Sequence, residues 1–429
     1  MATLIVDPFS SGAYYPELLK QAGVEYYVVR TQRSLDSGLS DGTPIPDLLA
    51  DNVELSDVTQ LVQLCHEHSI DRIIIGAESG VPCGEALKIE LGLAANLPDK
   101  GQRFWNKQCL YNFLSEKNVR VPKQWAIFNA EDLAGDLEGE SCAGVLADLP
   151  YPVVVKPDVG AGSVGVRIVS DAKAAHAAIQ NIVSQAGFFG TTPARAIVQE
   201  CVSGREYVVD TFSEHGNHHI KAICTYDKHP SSTGSMVYDR LRWLDEHQEE
   251  TDVLTHFAQS YLEALNHWHG AVHAEMIIDD HGPCLIDLGV RPHGAGHPLK
   301  TFALTGDSQL HAEVRAAVGE GTADTELCTG VDAGLETGVA SYRLLKQATI
   351  EFLSVDRSCT IKTDANPQEL LTLPGVISGE INATPGTTYP ETHSLLDSEA
   401  LGLVFIEQEP AGRSNIDVLR SAFEAMLEG

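Results

Sequence analysis

The stretch Val153-Val-Val-Lys156-Pro-Asp-Val-Gly160-Ala-Gly162-Ser163-Val-Gly165-Val-Arg-Ile-Val169 constrains this chain more than any other. An apolar strand ends in a lysine, a loop with three glycines follows, and a second valine/isoleucine-rich strand returns. Glycine lets backbone N–H groups approach an anion with no Cβ in the way, and the lysine adds a mobile positive charge. A nucleotide phosphate is the natural occupant. The stretch has neither the Gly-x-x-x-x-Gly-Lys-Ser/Thr order of a P-loop nor the strand-then-helix setting of a dinucleotide fingerprint, because both its flanks read as strand.

A chain of 429 residues is too long for one ordinary core, and roughly 100–200 residues per domain predicts two to four packed units. Hydrophobic residues at 43% and charged residues at 21% exclude a disordered chain. Lysine and arginine number 29 against 60 aspartates and glutamates, a formal charge of −31 that repels a phosphate backbone and argues against a nucleic-acid partner. That surplus reads as solubility. Any anionic ligand must then be drawn by a local cluster of lysine, arginine and Mg²⁺ working against the overall field. Nine cysteines without a Cys-x-x-Cys pair fit reduced thiols in a cytoplasmic protein better than a disulfide or zinc framework. The N-terminus, Met-Ala-Thr-Leu-Ile-Val-Asp7, has no basic leader region, and no apolar run approaches the ~20 residues that cross a bilayer, so no membrane partner is expected.

Leu4 to Val6 reads as a buried parallel strand, Ser10 to Gly12 as a turn, Tyr15 to Ala22 as a helix ending at Gly23, and Tyr26 to Val29 as the next strand. Asp71 to Gly76 repeats the strand-into-loop pattern, and Glu85 to Leu91 follows as a helix. This alternation predicts a small doubly wound α/β domain over residues 1–100, with ligands at the carboxyl ends of its strands. A helix is expected over Lys107 to Lys117. Ala196 to Glu200 and Glu206 to Asp210 read as two short strands meeting at Ser203-Gly204. Further strands are expected over His219 to Thr225, Ala271 to Asp279 and Pro283 to Leu288. The polar, histidine- and serine-rich segment from Tyr226 to Glu250 reads as a long surface loop. From about 331 onward, short strands such as Gly402 to Ile406 and a final helix, Asn415 to Leu427, predict a smaller α+β unit.

Two acids lie on adjacent expected strands, Glu275 and Asp287, joined through the Asp279-Asp-His-Gly282 turn. An antiparallel hairpin would place them side by side, where they repel unless a cation sits between them. Mg²⁺ with nucleotide phosphates suits that geometry, and two solvated strand residues are the plain alternative. Arg291 follows Asp287 by four residues and leads into the flexible turn Pro292-His293-Gly294-Ala-Gly296, where its guanidinium could clasp a phosphate or carboxylate. His267, His269 and His273 fit neither a zincin helix nor a Cys/His finger. Ser163 has Ala161 where a nucleophile elbow needs glycine, which excludes that hydrolase pattern.

Taken in order, these elements resemble the ATP-grasp superfamily of carboxylate–amine ligases over about residues 1–310. Gly76-Ala-Glu78-Ser-Gly80-Val and the helix after it, ending in Gly92 to Asn96, resemble the domain that precedes the ATP-grasp fold. Lys107 resembles the first nucleotide lysine, and Lys156 with Gly160, Gly162, Ser163 and Gly165 the second lysine and its loop. Gln199-Glu200-Cys-Val202-Ser-Gly204-Arg-Glu206 resembles the hinge, with Glu200 and Val202 at the adenine and Glu206 at the ribose. Glu275 and Asp287 resemble the metal-binding pair, and Arg291 the arginine that steadies the transferring phosphoryl group. Gly270-Ala-Val-His273-Ala-Glu275, the acid-x-x-x-Arg spacing at 287–291 and a trailing small domain narrow the resemblance to the L-amino-acid (dipeptide) ligases of the bacilysin and dapdiamide synthetase type. Aspartate replaces the usual glutamate at 287, and Gly289 stands where many relatives carry a metal-binding asparagine, which puts a second Mg²⁺ in doubt.

The resemblance implies a mixed α/β and α+β architecture: a pre-ATP-grasp domain over 1–100, an ATP-grasp domain over 101–330 with a lid at about 120–205, and a C-terminal subdomain over 331–429. It implies ATP with one or two Mg²⁺, or Mn²⁺ in its place, a carboxylate and an amine as small-molecule substrates, and a homodimer. Catalysis would fall to Arg291, Lys156 and Glu275, while Tyr238, Asp239, His293, Gly294 and His297 are the expected substrate contacts. Two rivals stand beside this reading: an ATP-grasp ligase of purine or cofactor synthesis, and a nucleotide-binding regulator without chemistry. A dinucleotide-dependent oxidoreductase would need Gly-x-Gly-x-x-Gly after the first strand, where the chain offers only Ser10-Ser-Gly12.

Overall fold

Five consecutive buried residues, Ala2–Val6, form β1, and β2 (Tyr26–Thr31), β3 (Leu48–Val53) and β4 (Ile70–Ile75) complete a parallel sheet in the order β3-β2-β1-β4. Leu4 and Val6 point to one face, onto Leu61, Cys65, Ala86 and Leu87 of two helices. Ile5 points to the other, onto Leu19 and onto Leu310 and Val314 of the helix Gln309–Val318. Side chains alternate along a strand, so an unbroken apolar run requires cover on both faces, as a doubly wound sheet supplies. The structure, a computed structural model, describes residues 2–38, 45–93, 95–96, 105–134, 142–187, 189–190, 194–245, 248–319, 343–408 and 414–428. The expected domain boundaries at 100/101 and 330/331 and residue Ala94 of the Gly92–Asn96 segment lie outside these.

Ser10–Tyr14 is a short 3₁₀ helix rather than a simple turn. Gly12 lies so close to Gly76 that a Cβ on it would sit 2.4 Å from the Gly76 carbonyl oxygen. The helix expected at Glu85 begins earlier, at Val81, with a proline in its first turn where a missing N–H costs nothing.

A second, antiparallel sheet comprises β5 (Gln124–Phe128), β6 (Val153–Pro157), β7 (Arg167–Val169) and β8 (Ala196–Glu200) in the order β5-β8-β6-β7. The helix Ala172–Val183 covers it with Ala175, Ile179, Ile182 and Val183, spaced to share one helix face. The glycine loop joins β6 to β7 at the edge.

The largest sheet begins with β9 (Arg205–Glu214), β10 (Asn217–Pro230), β11 (Met236–Trp243), β12 (Gly270–Asp279) and β13 (Gly282–Gly289). After β14 (Ala348–Phe352) come β15 (Cys359–Ile361), β16 (Val376–Ile381), β17 (Thr388–Tyr389), β18 (Gly402–Glu407) and β19 (Leu427–Glu428). The order β13-β12-β9-β10-β11-β14-β18-β16 runs the late strands onto the same eight-stranded sheet, while β17-β15-β19 forms a small one beside it. The helix Glu249–Leu265 packs Leu254, Ala258, Tyr261 and Leu262 on one face against Val209, Val272 and Met276.

Two expectations need correction here. The strands Ala196–Glu200 and Arg205–Glu214 do not pair; they belong to different sheets, and Cys201–Gly204 is the crossing between them. Gly204 passes over β12 so closely that a Cβ would lie 2.0 Å from the Ile278 carbonyl oxygen. The segment from Tyr226 is not a surface loop either. It completes β10 and supplies β11, with Tyr226, Tyr238 and Trp243 buried. Its polarity misleads because its charges are paired across strands: Arg242 with Asp227, Arg240 with Glu351, Lys228 with Glu206. Among the described residues no helix is long and apolar enough to cross a membrane.

Candidate active site

Segments attached to the three larger sheets bring cations and acids to one place. Lys156 ends β6 and Lys107 opens the helix Lys107–Glu116, whose first turn is capped by Asn106 accepting from the Cys109 N–H at 2.9 Å. Asp158, buried, holds the two segments together by accepting from Asn106 Nδ2 at 2.8 Å and the Gln108 N–H at 3.0 Å. Lys156 is 5% exposed. Its Nζ donates to the Tyr111 hydroxyl at 2.7 Å and the Ile286 carbonyl at 3.0 Å. Burial pushes this ammonium down to about 8, against the pull of Asp287, and Lys107 pushes the same way. Lys107 Nζ lies 3.1 Å from Asp287 Oδ1 and donates to the Gly160 carbonyl at 3.2 Å. Burial works against its charge too, but Asp287, Glu78 and Glu275 outweigh that and hold its pKa above the usual lysine value.

Glu275 and Asp287 face each other directly in the β12–β13 register, as the hairpin reading required. Burial alone would raise Glu275. The hydrogen bond from His273 and the charge of Lys228 outweigh it and keep the carboxyl far below its ordinary range, so a ready anion faces the cleft. Arg291 Nε donates to Glu78 Oε2 at 3.0 Å, and its Nη1 to the Pro292 carbonyl. The turn after it is tied to the first sheet: Ser10 Oγ accepts from the Ala295 N–H and Ser11 Oγ from the Gly296 N–H, each at 3.0 Å. The glycine loop bends through positive φ at Gly162, Ser163 and Gly165, and Ser163 Oγ meets the Tyr238 hydroxyl at 2.7 Å.

Two adjoining cavities result. The first, about 170 Å³, is lined by Lys107, Lys156, the loop residues Gly160 to Val164, Glu200, Val202, Glu206, Lys228, Glu275, Asp287 and Arg291. The second, about 410 Å³, shares Glu78, Gly162, His273, Glu275 and Arg291 with it and continues past Tyr14, Tyr226, Tyr238, His293, Gly294 and His297. Fifteen of the seventeen residues singled out from the sequence line one cavity or both; Gly165 and Asp239 do not. Gly165 supports the loop from outside, where a Cβ would crowd Pro157 at 3.0 Å. Asp239 is skipped where the β10–β11 register shifts beside Tyr238, and it pairs with His229 at 2.9 Å. His267, His269 and His273 do not converge: the first meets the Gly270 carbonyl, the second Glu313 and Arg72, the third Asp210.

Sequence reasoning missed Lys228 and Asp210. Lys228 lies 2.6 Å from Glu206 and 3.9 Å from the Tyr238 ring centroid, inside the segment read as a loop. Asp210, 1% exposed, receives His273, His293 and His297 on its two oxygens. An acid inside the run Tyr-Val-Val-Asp210-Thr-Phe hints at a buried charge, but nothing local points to its three histidine partners.

The residues fit a magnesium–nucleotide: paired carboxylates, two lysines from different elements, and a glycine loop meet in one cleft. Gln199 Oε1, beside Glu200 and Val202 on the cavity wall, is buried with no hydrogen-bond partner among the described residues, an acceptor suited to an exocyclic amine. A Cβ at 289 would lie 2.5 Å from Glu78 Oε2, so a side chain there requires the Glu78 carboxylate to swing aside.

Fold and site point to a class. Residues 149–297 match the ATP-grasp domain family, and the comparisons together support an ATP-grasp enzyme of the carboxylate–amine ligase kind. The chain is 24% identical over 422 residues to dapdiamide A synthase of Enterobacter agglomerans, covering 95% of this chain and 92% of that one. Its fold matches the L-amino acid ligase from Bacillus licheniformis with a TM-score of 0.71 at 17% identity, over 100% of this chain and 98% of the other. It also matches, at TM-score 0.58 and 14% identity over 99% and 90%, the biotin carboxylase domain of Hydrogenobacter thermophilus 2-oxoglutarate carboxylase in complex with MgADP, ADP and bicarbonate.

Proposed function

We propose that this enzyme joins the carboxylate of an amino acid or acyl amino acid to the amine of a second amino acid, using Mg·ATP. The observation that carries this is the convergence of Lys107, Lys156, Glu275, Asp287 and Arg291 on one cleft that opens into a second cavity large enough for organic substrates. The likeness to dapdiamide A synthase supports the amide-forming reading.

A substrate carboxylate oxygen attacks the γ-phosphorus of ATP; the new P–O bond forms as the bond to the β-phosphate oxygen breaks, and ADP departs. The amine then attacks the acyl carbon and expels phosphate. Glu275 and Asp287 are the residues that would hold Mg²⁺, which when bound neutralises charge on the phosphate oxygens. Lys156, Lys107 and the N–H groups of Gly160 to Gly165 orient the phosphates. Arg291, held by Glu78 between the cavities, meets the charge that builds on the transferred group. Glu206 and Lys228 stand at the ribose end of the cleft. The sheet bearing the glycine loop, about 120–205, serves as a lid that keeps water from an easily hydrolysed acyl phosphate.

The test combines the protein with Mg·ATP and pooled amino acids. Phosphate release should require two of them, and product mass should equal their sum less one water. Lys156→Ala and Glu275→Ala should remain folded and lose at least about 100-fold in turnover, as removal of preorganised charge does. Near-normal turnover in both variants would defeat the reading.

A further inference from the structure

The buried Asp210 cluster is too costly to be filler. A carboxylate with three imidazoles inside a core must be desolvated and is retained where its polarity serves a purpose. Asp210 Oδ2 accepts from His293 Nδ1 at 2.9 Å, and His297 Nδ1 lies 3.3 Å from the same oxygen; Oδ1 accepts from His273 Nδ1 at 2.9 Å. Asp210, His293 and His297 are close enough together to hold a metal ion. Yet the His293 and His297 rings are stacked, centroids 3.9 Å apart and planes 23° from parallel. Both Nδ1 atoms face the same Asp210 oxygen at hydrogen-bonding distance, so the carboxylate already serves as the shared acceptor of the two rings.

Fixing Nδ1 as the N–H leaves His293 Nε2 as an acceptor. That nitrogen meets the Tyr226 hydroxyl at 3.2 Å, on the wall of the larger cavity. The backbone is locked as well, since the His293 N–H donates to Gln309 Oε1 at 2.9 Å and Gln309 in turn donates to the Val272 and Thr211 carbonyls. His293 thus stands two residues beyond Arg291, with a preset tautomer and no task in phosphoryl transfer. An amine substrate, however, arrives at neutral pH as an ammonium, which cannot attack a carbonyl.

Resting on the ligase reading above, we propose that His293 is the base that takes a proton from the ammonium of the amine substrate, with Asp210 as its positioning residue. One N–H proton passes to Nε2, displacing the Tyr226 contact. The freed nitrogen pair forms the C–N bond at the acyl phosphate, and the C–O bond to phosphorus breaks with its electrons on phosphate. The second proton leaves the new amide nitrogen with the departing phosphate, and the imidazolium later returns its proton to solvent. The arrangement repeats the carboxylate–imidazole logic of hydrolytic triads with an external amine as the proton donor. Burial and the neighbouring His273 and His297 hold His293 well below the ordinary imidazole range, so the ring meets its substrate neutral.

Hydroxylamine separates this role from a structural one, because it is already unprotonated at neutral pH and traps an acyl phosphate as the hydroxamate. In His293→Gln, amide formation from the amino-acid pair should fall about 100-fold or more while hydroxamate formation falls less than about threefold. Asp210→Asn should give the same split through the wrong tautomer, and it carries the test should His293→Gln fail to melt cooperatively. Parallel loss of both products in a folded variant, or undiminished amide formation, overturns the proposal. A wild-type enzyme that makes no hydroxamate with any carboxylate tested would instead overturn the acyl-phosphate reading itself.

Discussion

Lys156 is the residue at which the electrostatics of the cleft can be read out most directly. Its ammonium is charged below about pH 8 and neutral above, whereas Lys107 beside it is held above the ordinary lysine value. In the free enzyme the phosphate site therefore loses one of its two lysine charges as pH rises through about 8. The expected result is that kcat/KM for ATP, which reports the free enzyme, declines above about pH 8. Protein stability moves the other way. The folded chain gives up this proton near 8 and the unfolded chain near 10.5, so between those values the unfolded state binds more protons and the contribution of Lys156 to stability rises with pH. Melting curves measured beside the kinetics distinguish the two: activity falling with Tm supported would identify the lysine, while activity that tracks unfolding would remove it from the explanation. Lys156 itself was legible from the sequence because the glycine loop beside it marks a phosphate site. Asp210 was not, because what sets it apart is three histidines contributed by two segments more than 60 residues downstream, and no local spacing announces that.

At the scale of elements, the β10–β11 hairpin decides how much of the site exists. Apolar runs and the glycine loop were enough to foresee β1, β4, β6, β8, β12 and β13, since burial on both faces, or a turn flanked by valines, leaves a plain pattern. The hairpin left only the first half of β10, His219 to Thr225, and nothing of β11. Its outward alternation is filled with Asp227, Asp239, Arg240 and Arg242, and solvent-like composition hides strands whose charges are matched only when neighbours are in place. The key match is Arg240 opposite Glu351 in the β11–β14 register, with Arg420 donating to the other side of that carboxylate at 3.1 Å. Glu351 is 2% exposed, so removing it strands a half-buried guanidinium. Glu351→Ala should cost about 1.5–3 kcal/mol in urea unfolding, the range for charged hydrogen bonds, while KM for ATP changes little because neither nucleotide lysine touches this pair. A loss below about 0.5 kcal/mol would mean that the pair behaves as an exposed one and does not hold the C-terminal strands to the sheet.

For the molecule as a whole, the contradiction between a net charge of −31 and an anionic substrate has a measurable consequence. Lys107, Lys156, Lys228 and Arg291 line a cleft in a chain whose 60 acids outnumber its basic residues two to one, so a nucleotide is repelled at long range and attracted only on arrival. Salt acts unequally on these two parts. At an ionic strength of about 0.1 M the screening length is about 10 Å, short enough to erase repulsion from distant surface acids, whereas buried contacts of about 3 Å are screened much less. Raising KCl from about 20 to 200 mM at fixed free Mg²⁺ should therefore lower KM for ATP by about two- to threefold, the reverse of what a basic nucleotide-binding surface does. A steep rise in KM over that range would show that long-range attraction dominates, and that the acids face away from the approach to the cleft. The same inequality explains why the nucleotide-facing cations are buried in the cleft rather than displayed on its rim: in a field of this sign, a lysine exposed at the surface would be answered by the nearest carboxylate before any phosphate reached it.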